Sequence, residues 1–279
     1  MGQGRAHADS DAAPSPAELR LWLDEATDIA RRAGELVADR YSLAHQETQK
    51  GHAHNLVTET DHASEELIVG EVARRFPGHS IRAEEGRDRA GADIVWVVDP
   101  LDGTNNFAHG FPVFAVSMAA MREGDVLVGV TYDPLRDELF AGVRGGGATL
   151  NGRPLAVSAR SNLAESLVAT GFPYDKATNP DNNVPQFAAV APRVRGIRRA
   201  GSAALDLAYV AAGRLEAYWE RGTNAWDVAA GILFVLEAGG EVTDYDGRAA
   251  TVDGGRFVAS NGRVHDELVS RLKAASAQA

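Results

Sequence analysis

Residues 94–107 have the sequence IVWVVDPLDGTNNF, and this is the stretch that decides the fold. Its first five residues are apolar and largely β-branched, which is typical of a buried strand. The strand ends at Asp99, and Asp102 follows three positions later. At a strand end, such a turn can direct both carboxylates and the Leu101 carbonyl toward one point. Oxygen ligands of this kind suit Mg²⁺.

The residues after Asp102 offer hydrogen-bond donors to an anion. The backbone N–H groups of Gly103 and Thr104 and the Thr104 hydroxyl lie in a turn or helix start, where donors are left unpaired. Asp99 and Asp102 are also explained if they only cap the turn, which is a common task of aspartate. The spacing alone leaves both interpretations open.

Two further acidic positions bear on this choice. Glu84-Glu85 follow a short predicted strand, and Asp227 stands at the start of an apolar helix. Taken singly, Asp227 is explained as a first-turn acid of its helix, and the glutamates as a solvated charge pair. Taken together, they supply a third and a fourth carboxylate from separate elements, as in phosphatase sites with two or three metal ions.

The charge balance restricts the partners. The chain of 279 residues has 28 Lys and Arg against 39 Asp and Glu, a net charge of -11. This excess disfavours nucleic acid and anionic membranes as bulk partners, and a phosphate substrate would require bound cations. Cysteine is absent, which excludes disulfides, thiolate nucleophiles and zinc–sulfur sites and is compatible with a cytoplasmic protein.

The predicted organisation is a mixed α/β protein in two packed halves. A flexible tail is expected over residues 1–16, followed by an α+β half over 17–160 with most of the acidic candidates. An α/β half over 161–279 contains Asp227 and the residues expected to recognise the substrate. No apolar run is long enough to cross a membrane.

Hydrophobic periodicity places the individual elements. It predicts a helix from Pro16 to about Val37 and a second that begins near Thr60 or Asp61 and ends at Pro77. Further helices are predicted over 203–212, 228–238 and 264–275, and strands over 80–82, 94–98, 114–121, 126–132, 139–143, 149–150, 166–170, 215–220, 241–244 and 257–259. Residues 172–183 are rich in Pro, Asp and Asn and predict a surface loop.

Several separated motifs resemble those of the inositol monophosphatase family of magnesium-dependent, lithium-sensitive phosphatases. They are NLVTETD (55–61), AEEG (83–86), WVVDPLDGTNNF (96–107), TGFPYD (170–175), GSAALDLAYVAAGRLEAYWE (201–220) and WDVAAG (226–231). The resemblance extends from Lys50 to Asn261. It implies an α/β (α+β) fold, a layered αβαβα sandwich of the sugar-phosphatase type, and a homodimer. The site would lie where the two halves meet.

The resemblance also implies a metal role for each matching acid. Glu84, Asp99 and the Leu101 carbonyl would bind a first Mg²⁺ ion. Asp99, Asp102 and Asp227 would bind a second, so that Asp99 is shared, and the site would hold two or three ions in all.

Catalytic roles follow from the same resemblance. Thr104 and Asp61 match the pair that positions the attacking water, assisted by Glu84. The N–H groups of Gly103 and Thr104 would hold the phosphate, and Lys50 matches a lysine near the phosphate entrance.

Substrate recognition is assigned mainly to the second half. Glu220 matches a carboxylate that binds ring hydroxyls, and Ala203 matches a backbone donor to the same ring, with Ser202 and Arg198 nearby. The residues expected to contact the substrate are Asp102, Gly103, Thr104, Ser202, Ala203, Glu220 and Asp227. A small phosphorylated polyol or sugar is therefore expected.

Two positions depart from the family pattern. Ala83 stands where the family usually has glycine, a change that matters only if the backbone requires a positive φ. Asn55 stands where many relatives have aspartate, which would weaken a peripheral metal interaction.

Three alternatives stay open at this stage. The substrate could be another ester, such as fructose 1,6-bisphosphate, histidinol phosphate or a nucleotide. The chain could also be a regulatory or binding protein that kept the fold, although every expected ligand is present. A metal-dependent hydrolase of another bond type is disfavoured, because His52 and His54 form the only ligand-like histidine pair.

Overall fold

The computed structural model describes residues 13–47 and 53–277. It begins with two long helices, α1 (Pro16–Glu47) and α2 (Ala53–Arg75). Helix α1 starts with a capping box, in which the Glu18 carboxylate accepts from the N–H of Ser15 at 2.8 Å and Ser15 Oγ accepts from the N–H of Glu18 at 3.3 Å. The tail predicted over residues 1–16 lies mostly outside the described residues, and Pro16 already belongs to α1.

The end predicted for α1 was wrong by about ten residues, because the helix continues past Val37 to Glu47. The start predicted for α2 was wrong by about seven residues. The helix begins at Ala53, whereas the apolar spacing used for the prediction begins only after Asp61. The polar sequence before that point has no periodic apolar signal, so its helical state could not be recognised from pattern alone.

A seven-stranded sheet follows, with its strands in chain order. The strands are β1 (His79–Ala83), β2 (Ala92–Asp102), β3 (Ala115–Arg122), β4 (Asp125–Asp133), β5 (Glu138–Val143), β6 (Gly147–Leu150) and β7 (Arg153–Pro154). β1 and β2 are parallel, and the other neighbours are antiparallel. The predicted strands are confirmed, but β2 is longer than predicted and continues through both aspartates.

The second half of the chain forms a five-stranded sheet with most of the remaining helices. Its strands are β8 (Leu167–Thr170), β9 (Gly196–Arg198), β10 (Ala217–Arg221), β11 (Glu241–Thr243) and β12 (Arg256–Ser260), in the order β11-β12-β10-β8-β9. The remaining helices are α3 (Thr104–Ala108), α4 (Val184–Val190), α5 (Ala203–Ala211), α6 (Ala225–Glu237) and α7 (His265–Ser276). The sequence did not predict α3, α4, β7 and β9, because elements of two to seven residues are too short to show a period.

Three apolar clusters define five layers. The first cluster joins α1 and α2 to one face of the seven-stranded sheet. The second lies between the two sheets and contains α5 and α6, which contact both of them. The third joins the outer face of the five-stranded sheet to α4 and α7. The layers are therefore α1 with α2, the seven-stranded sheet, α5 with α6, the five-stranded sheet, and α4 with α7. This order confirms the αβαβα sandwich.

The two sheets come from separate stretches, residues 79–154 and 167–260. The division of the chain into halves at 160/161 stays a prediction. Among the described residues, no helix is both long and apolar enough to span a bilayer.

Gly231 on α6 lies where this helix packs closely against α5, and its substitution tests that packing. A Cβ added at Gly231 would lie 2.4 Å from the Cβ of Leu207, so Gly231→Ala should lower the free energy of unfolding by about 1–3 kcal/mol. Gly70, on the exposed face of α2, is the matched control, because an added Cβ meets nothing within 4 Å. Gly70→Ala should instead stabilise by up to about 1 kcal/mol through helix propensity. Urea unfolding of both variants measures the difference, and equal stabilisation would contradict this packing.

Candidate active site

The end of β2 forms one wall of a cavity of about 110 Å³ that residues of both halves line. Between Asp99 and Asp102 the pairing with β3 shifts, because Asp99 faces Ser117 whereas Asp102 faces Ala115. Bulges of this kind redirect side chains at the edges of active sites. The carboxylate of Asp99, only 1% exposed, accepts a hydrogen bond from the N–H of Leu101 at 3.0 Å.

Two hydrogen bonds and one glycine fix the end of β2 and the turn that follows it. The hydroxyl of Ser64 on α2 donates to the Pro100 carbonyl at 2.9 Å. The hydroxyl of Thr104 donates to the Leu101 carbonyl at 3.0 Å. Gly103 has φ = 100°, and a Cβ there would lie 2.8 Å from the Val113 carbonyl oxygen, so only glycine fits.

Asp102 connects this turn to the second half of the chain. Its Oδ2 accepts from the Ser202 hydroxyl at 2.6 Å and from the N–H of Ala204 at 2.7 Å. The N–H of Ala203 also donates to this carboxylate, so the first N–H groups of α5 point at Asp102. Burial raises the pKa of Asp102 to about 6, although these hydrogen bonds act in the opposite direction. The predicted substrate donors Ser202 and Ala203 thus contact Asp102 here, and their substrate role stays a prediction.

Glu84 and Asp227 approach Asp99 from two other elements. Glu84 follows β1, its N–H donates to the Val98 carbonyl at 3.1 Å, and its carboxyl group hydrogen-bonds with that of Asp99. Asp227 is the third residue of α6, and its Oδ2 accepts from the N–H of Asn224 at 2.7 Å. Asp227 therefore does cap its helix, as the plainer interpretation held, and it also acts electrostatically on Asp99.

Ionising all four acidic groups together costs free energy; these groups are Glu84, Asp99, Asp102 and Asp227. Burial, followed by the neighbouring carboxylates, raises the pKa of Asp99 well above its usual range. Burial is also the main cause that raises the pKa of Glu84 to about 7 and that of Asp227 to about 8. Among the described residues, Arg199 is the only lysine or arginine that lines the cavity.

This set of donors fits a divalent cation in chemistry and charge. The carboxylates and the Leu101 carbonyl are hard oxygen ligands, and the unbalanced negative charge calls for a cation. Within 13–47 and 53–277, no three of the acidic or histidine side chains are already gathered into a cage for a metal ion. The carboxyl groups are kept apart because like charges repel one another and because N–H donors at helix starts hold Asp102 and Asp227.

Helix α2 contributes Asp61 and a residue that the sequence did not reveal, Glu65. Asp61 is buried, and burial together with Glu85 and Glu84 raises its pKa to about 8. Glu65 is fully buried, and its Oε2 accepts from the N–H of Glu85 at 2.7 Å, which anchors the turn that contains Glu84. Its spacing of four residues from Asp61, on the same helix face, was the available signal. The pairing of Asp61 with Thr104 stays a prediction.

The second half supplies the other wall. Glu220 is the penultimate residue of β10, accepts a hydrogen bond from the Tyr218 hydroxyl, and has its pKa raised to about 7 mainly by burial. Its carboxyl group lies against Gly171, where a Cβ would be 2.0 Å from the carboxyl atoms, so this position also requires glycine. The predicted loop follows Gly171, and Tyr174 within it lines the cavity with 88% of its surface exposed. Arg199, rather than the predicted neighbour Arg198, reaches the cavity.

Some predicted positions lie outside the part of the chain that the structure describes. Lys50 and His52 belong to the segment between the two described ranges, and the side chains of His54 and Asn55 are not described either. Ala83 is the last residue of β1, and it does not belong to the positive-φ residues.

Known proteins resemble this chain in sequence and in structure. The model of the inositol monophosphatase family matches residues 18–277. An inositol-1-monophosphatase of Synechocystis sp. is 45% identical over 93% of this chain and 91% of its own length. A Nus factor SuhB of Pseudomonas aeruginosa is 44% identical over 91% of this chain and 97% of its own length.

The solved structures give the same result. The inositol monophosphatase from Anabaena (Nostoc) sp. superimposes with a TM-score of 0.83 at 45% identity, covering 91% of this chain and 96% of that one. The family is generally metal-dependent, as the acidic site would require. The chain therefore belongs to the inositol monophosphatase family.

Proposed function

We propose that this protein is a Mg²⁺-dependent phosphatase that hydrolyses the phosphate monoester of a small polyol, with inositol 1-phosphate as the representative substrate. One observation carries the proposal: carboxyl groups from both halves, with Asp99 buried among them, line one cavity, and among the described residues Arg199 is its only lysine or arginine. Such a cavity repels a phosphate dianion unless cations are bound. Support also comes from the relatives named inositol-1-monophosphatase and from a similar structure, 29% identical, described as having inositol monophosphate bound.

The ligand assignment follows the donor set. Glu84, Asp99 and the Leu101 carbonyl would hold a first ion, and Asp99 would share a second with Asp102 and Asp227. We propose two or three ions in all. When bound, divalent cations lower the pKa of a water molecule and neutralise charge on the phosphoryl group and on the leaving alkoxide.

The other proposed catalytic roles belong to backbone N–H groups and side chains of the protein itself. The N–H groups of Gly103 and Thr104 would bind a phosphate oxygen at the turn after β2. The Thr104 hydroxyl and the Asp61 carboxyl would orient the attacking water, with Glu84 beside them. Glu220 would accept hydrogen bonds from hydroxyl groups of the leaving alcohol.

A regulatory role is the second candidate, because several relatives at 41–44% identity are named Nus factor SuhB. This role and catalysis are compatible, and turnover of a phosphate ester separates a purely regulatory protein from an enzyme. Hydrolysis of another ester of the same class is the third possibility, and a substrate panel addresses it. A cytoplasmic location, a homodimer and sensitivity to Li⁺ are further proposals from the resemblance.

Metal dependence is the first test of this function. Hydrolysis of 4-nitrophenyl phosphate should cease in a chelator, because the uncompensated carboxylates then repel the substrate, and added Mg²⁺ should restore it. Li⁺ should inhibit the restored reaction. Continuous absorbance assays measure all three states, and full turnover in the chelator would contradict the mechanism.

Asp99→Asn separates the functional role of this carboxylate from a structural one. In a chelator near pH 7 the variant should be more stable than the wild type by about 1–2 kcal/mol, since it removes a buried carboxyl group whose raised pKa lowers the stability of the folded state, and the Tm should rise by roughly 2–4 °C. Turnover with Mg²⁺ should fall by about 1,000-fold or more, as is typical when a central electrostatic group is lost.

Asp133→Asn is the matched control. Asp133 is equally buried, but its Oδ2 accepts from Arg136 at 2.7 Å and its Oδ1 from the N–H of Leu135 at 3.0 Å. Loss of this charge should destabilise the protein by about 1–3 kcal/mol and spare turnover. If Asp99→Asn were destabilising and active like the control, Asp99 would be only a turn residue.

Glu220→Gln tests the recognition of hydroxyl groups. We expect kcat/KM for inositol 1-phosphate to fall roughly 10- to 100-fold, since hydrogen bonds to a charged carboxylate are replaced by weaker ones to an amide that has one acceptor oxygen fewer, while kcat/KM for 4-nitrophenyl phosphate stays nearly constant. A panel with fructose 1,6-bisphosphate, histidinol phosphate, adenosine monophosphate and 3′-phosphoadenosine 5′-phosphate gives the wild-type preference. An equal loss on every ester would show that Glu220 is structural.

A further inference from the structure

Helix α5 contains a carboxyl group to which none of the roles above is assigned. Asp206 is the fourth residue of this otherwise apolar helix, lies between the two sheets and is 2% exposed. It lines the same cavity as Glu220. Within the described part of the chain, its buried Oδ1 has no hydrogen-bond partner.

This lack of a partner distinguishes Asp206 from other buried acids. Asp133 and Glu216, for example, both accept hydrogen bonds from backbone N–H groups. A buried polar atom without a partner costs about 1–3 kcal/mol of stability, and the apolar neighbours Leu205 and Leu207 show that this helix accommodates hydrophobic residues. A carboxyl group at this position is therefore explained more readily by a ligand in the cavity than by folding.

The surroundings of Asp206 indicate what kind of ligand it accepts. The charge of Glu220 acts on Asp206 strongly enough to raise its pKa further, after burial, whereas Arg199 acts in the opposite direction. Glu220 already accepts one hydrogen bond, from Tyr218. The two carboxyl groups thus line the same cavity, and one oxygen of Asp206 accepts from no donor among the described residues.

We propose that Asp206 binds a hydroxyl group of the substrate beside the one that Glu220 binds, so that the subsite selects phosphate esters with at least two neighbouring hydroxyls. This inference rests on the proposed phosphatase function. A polyol meets the geometry because a hydroxyl both donates and accepts, whatever the protonation state of the carboxyl group. An ammonium group is the competing ligand, and Arg199 at the cavity already provides positive charge.

Asp206→Leu is the main test, because leucine has nearly the same shape and needs no partner. We expect kcat/KM for inositol 1-phosphate to fall about 10- to 100-fold, and that for cyclohexyl phosphate, which lacks hydroxyls, to change less than about 3-fold. Product inhibition by free inositol should weaken in parallel. Asp206→Asn keeps an acceptor and a donor, so it should retain most of the selectivity.

Gln186→Leu is the matched control, since Gln186 is also buried with an unpartnered oxygen but lies on α4, away from the cavity. It should leave the ratio of the two kcat/KM values unchanged. Equal losses on both esters with lowered stability would show that Asp206 is structural and would overturn the inference. A selective loss on histidinol phosphate would overturn it in favour of an ammonium site.

The same assays separate this inference from the function on which it rests. If the wild type hydrolysed neither ester with Mg²⁺, the proposed function would fail and the inference with it. If the wild type preferred inositol 1-phosphate and Asp206→Leu kept that preference, only the inference would fail.

Discussion

The burial of Asp99 among other carboxyl groups is the constraint to which the rest of the site is adapted. Among the described residues, no lysine or arginine pairs with it, and Glu84, Asp102 and Asp227 all act to keep it from ionising. Carboxylates in such a position lower the stability of the metal-free protein. They are tolerated because rigid backbone holds them: the irregular end of β2 bonds to α2 through the Pro100 carbonyl, and a glycine follows at positive φ.

Helix α5 joins this acidic wall to the side that would recognise the alcohol. Its first N–H groups and Ser202 bond to Asp102, 100 residues away in sequence, while Asp206 one turn later lines the same cavity. The helix is packed between the sheets and has little freedom to shift. One element therefore holds the proposed metal ligand Asp102 and carries the proposed substrate contact Asp206, which is the pre-organisation that an efficient site requires.

The features that were predicted from the sequence are those that neighbouring residues in the chain determine. The apolar run before Asp99 and the alternation of strands and helices placed most elements within a few residues, whereas the end of α1 and the start of α2 were missed by about ten and about seven residues. Glu65 and Asp206 were not predicted, because an acid on a helix is usually exposed, and only the tertiary packing buries these two. The bond from Asp102 to α5 likewise depends on how the two halves meet. The motifs that resemble the family identified the acids around the cavity, but periodicity alone did not bring them together.

The central claim is that divalent cations neutralise the acids around Asp99. A crystal structure grown with Mn²⁺ in place of Mg²⁺, with anomalous scattering recorded at the manganese edge, tests this directly. The account predicts at least one peak within about 2.3 Å of an Asp99 carboxylate oxygen, with oxygens of Glu84, Asp102 or Asp227 as further ligands. An ordered cavity without any anomalous peak near Asp99 at saturating Mn²⁺ would contradict it.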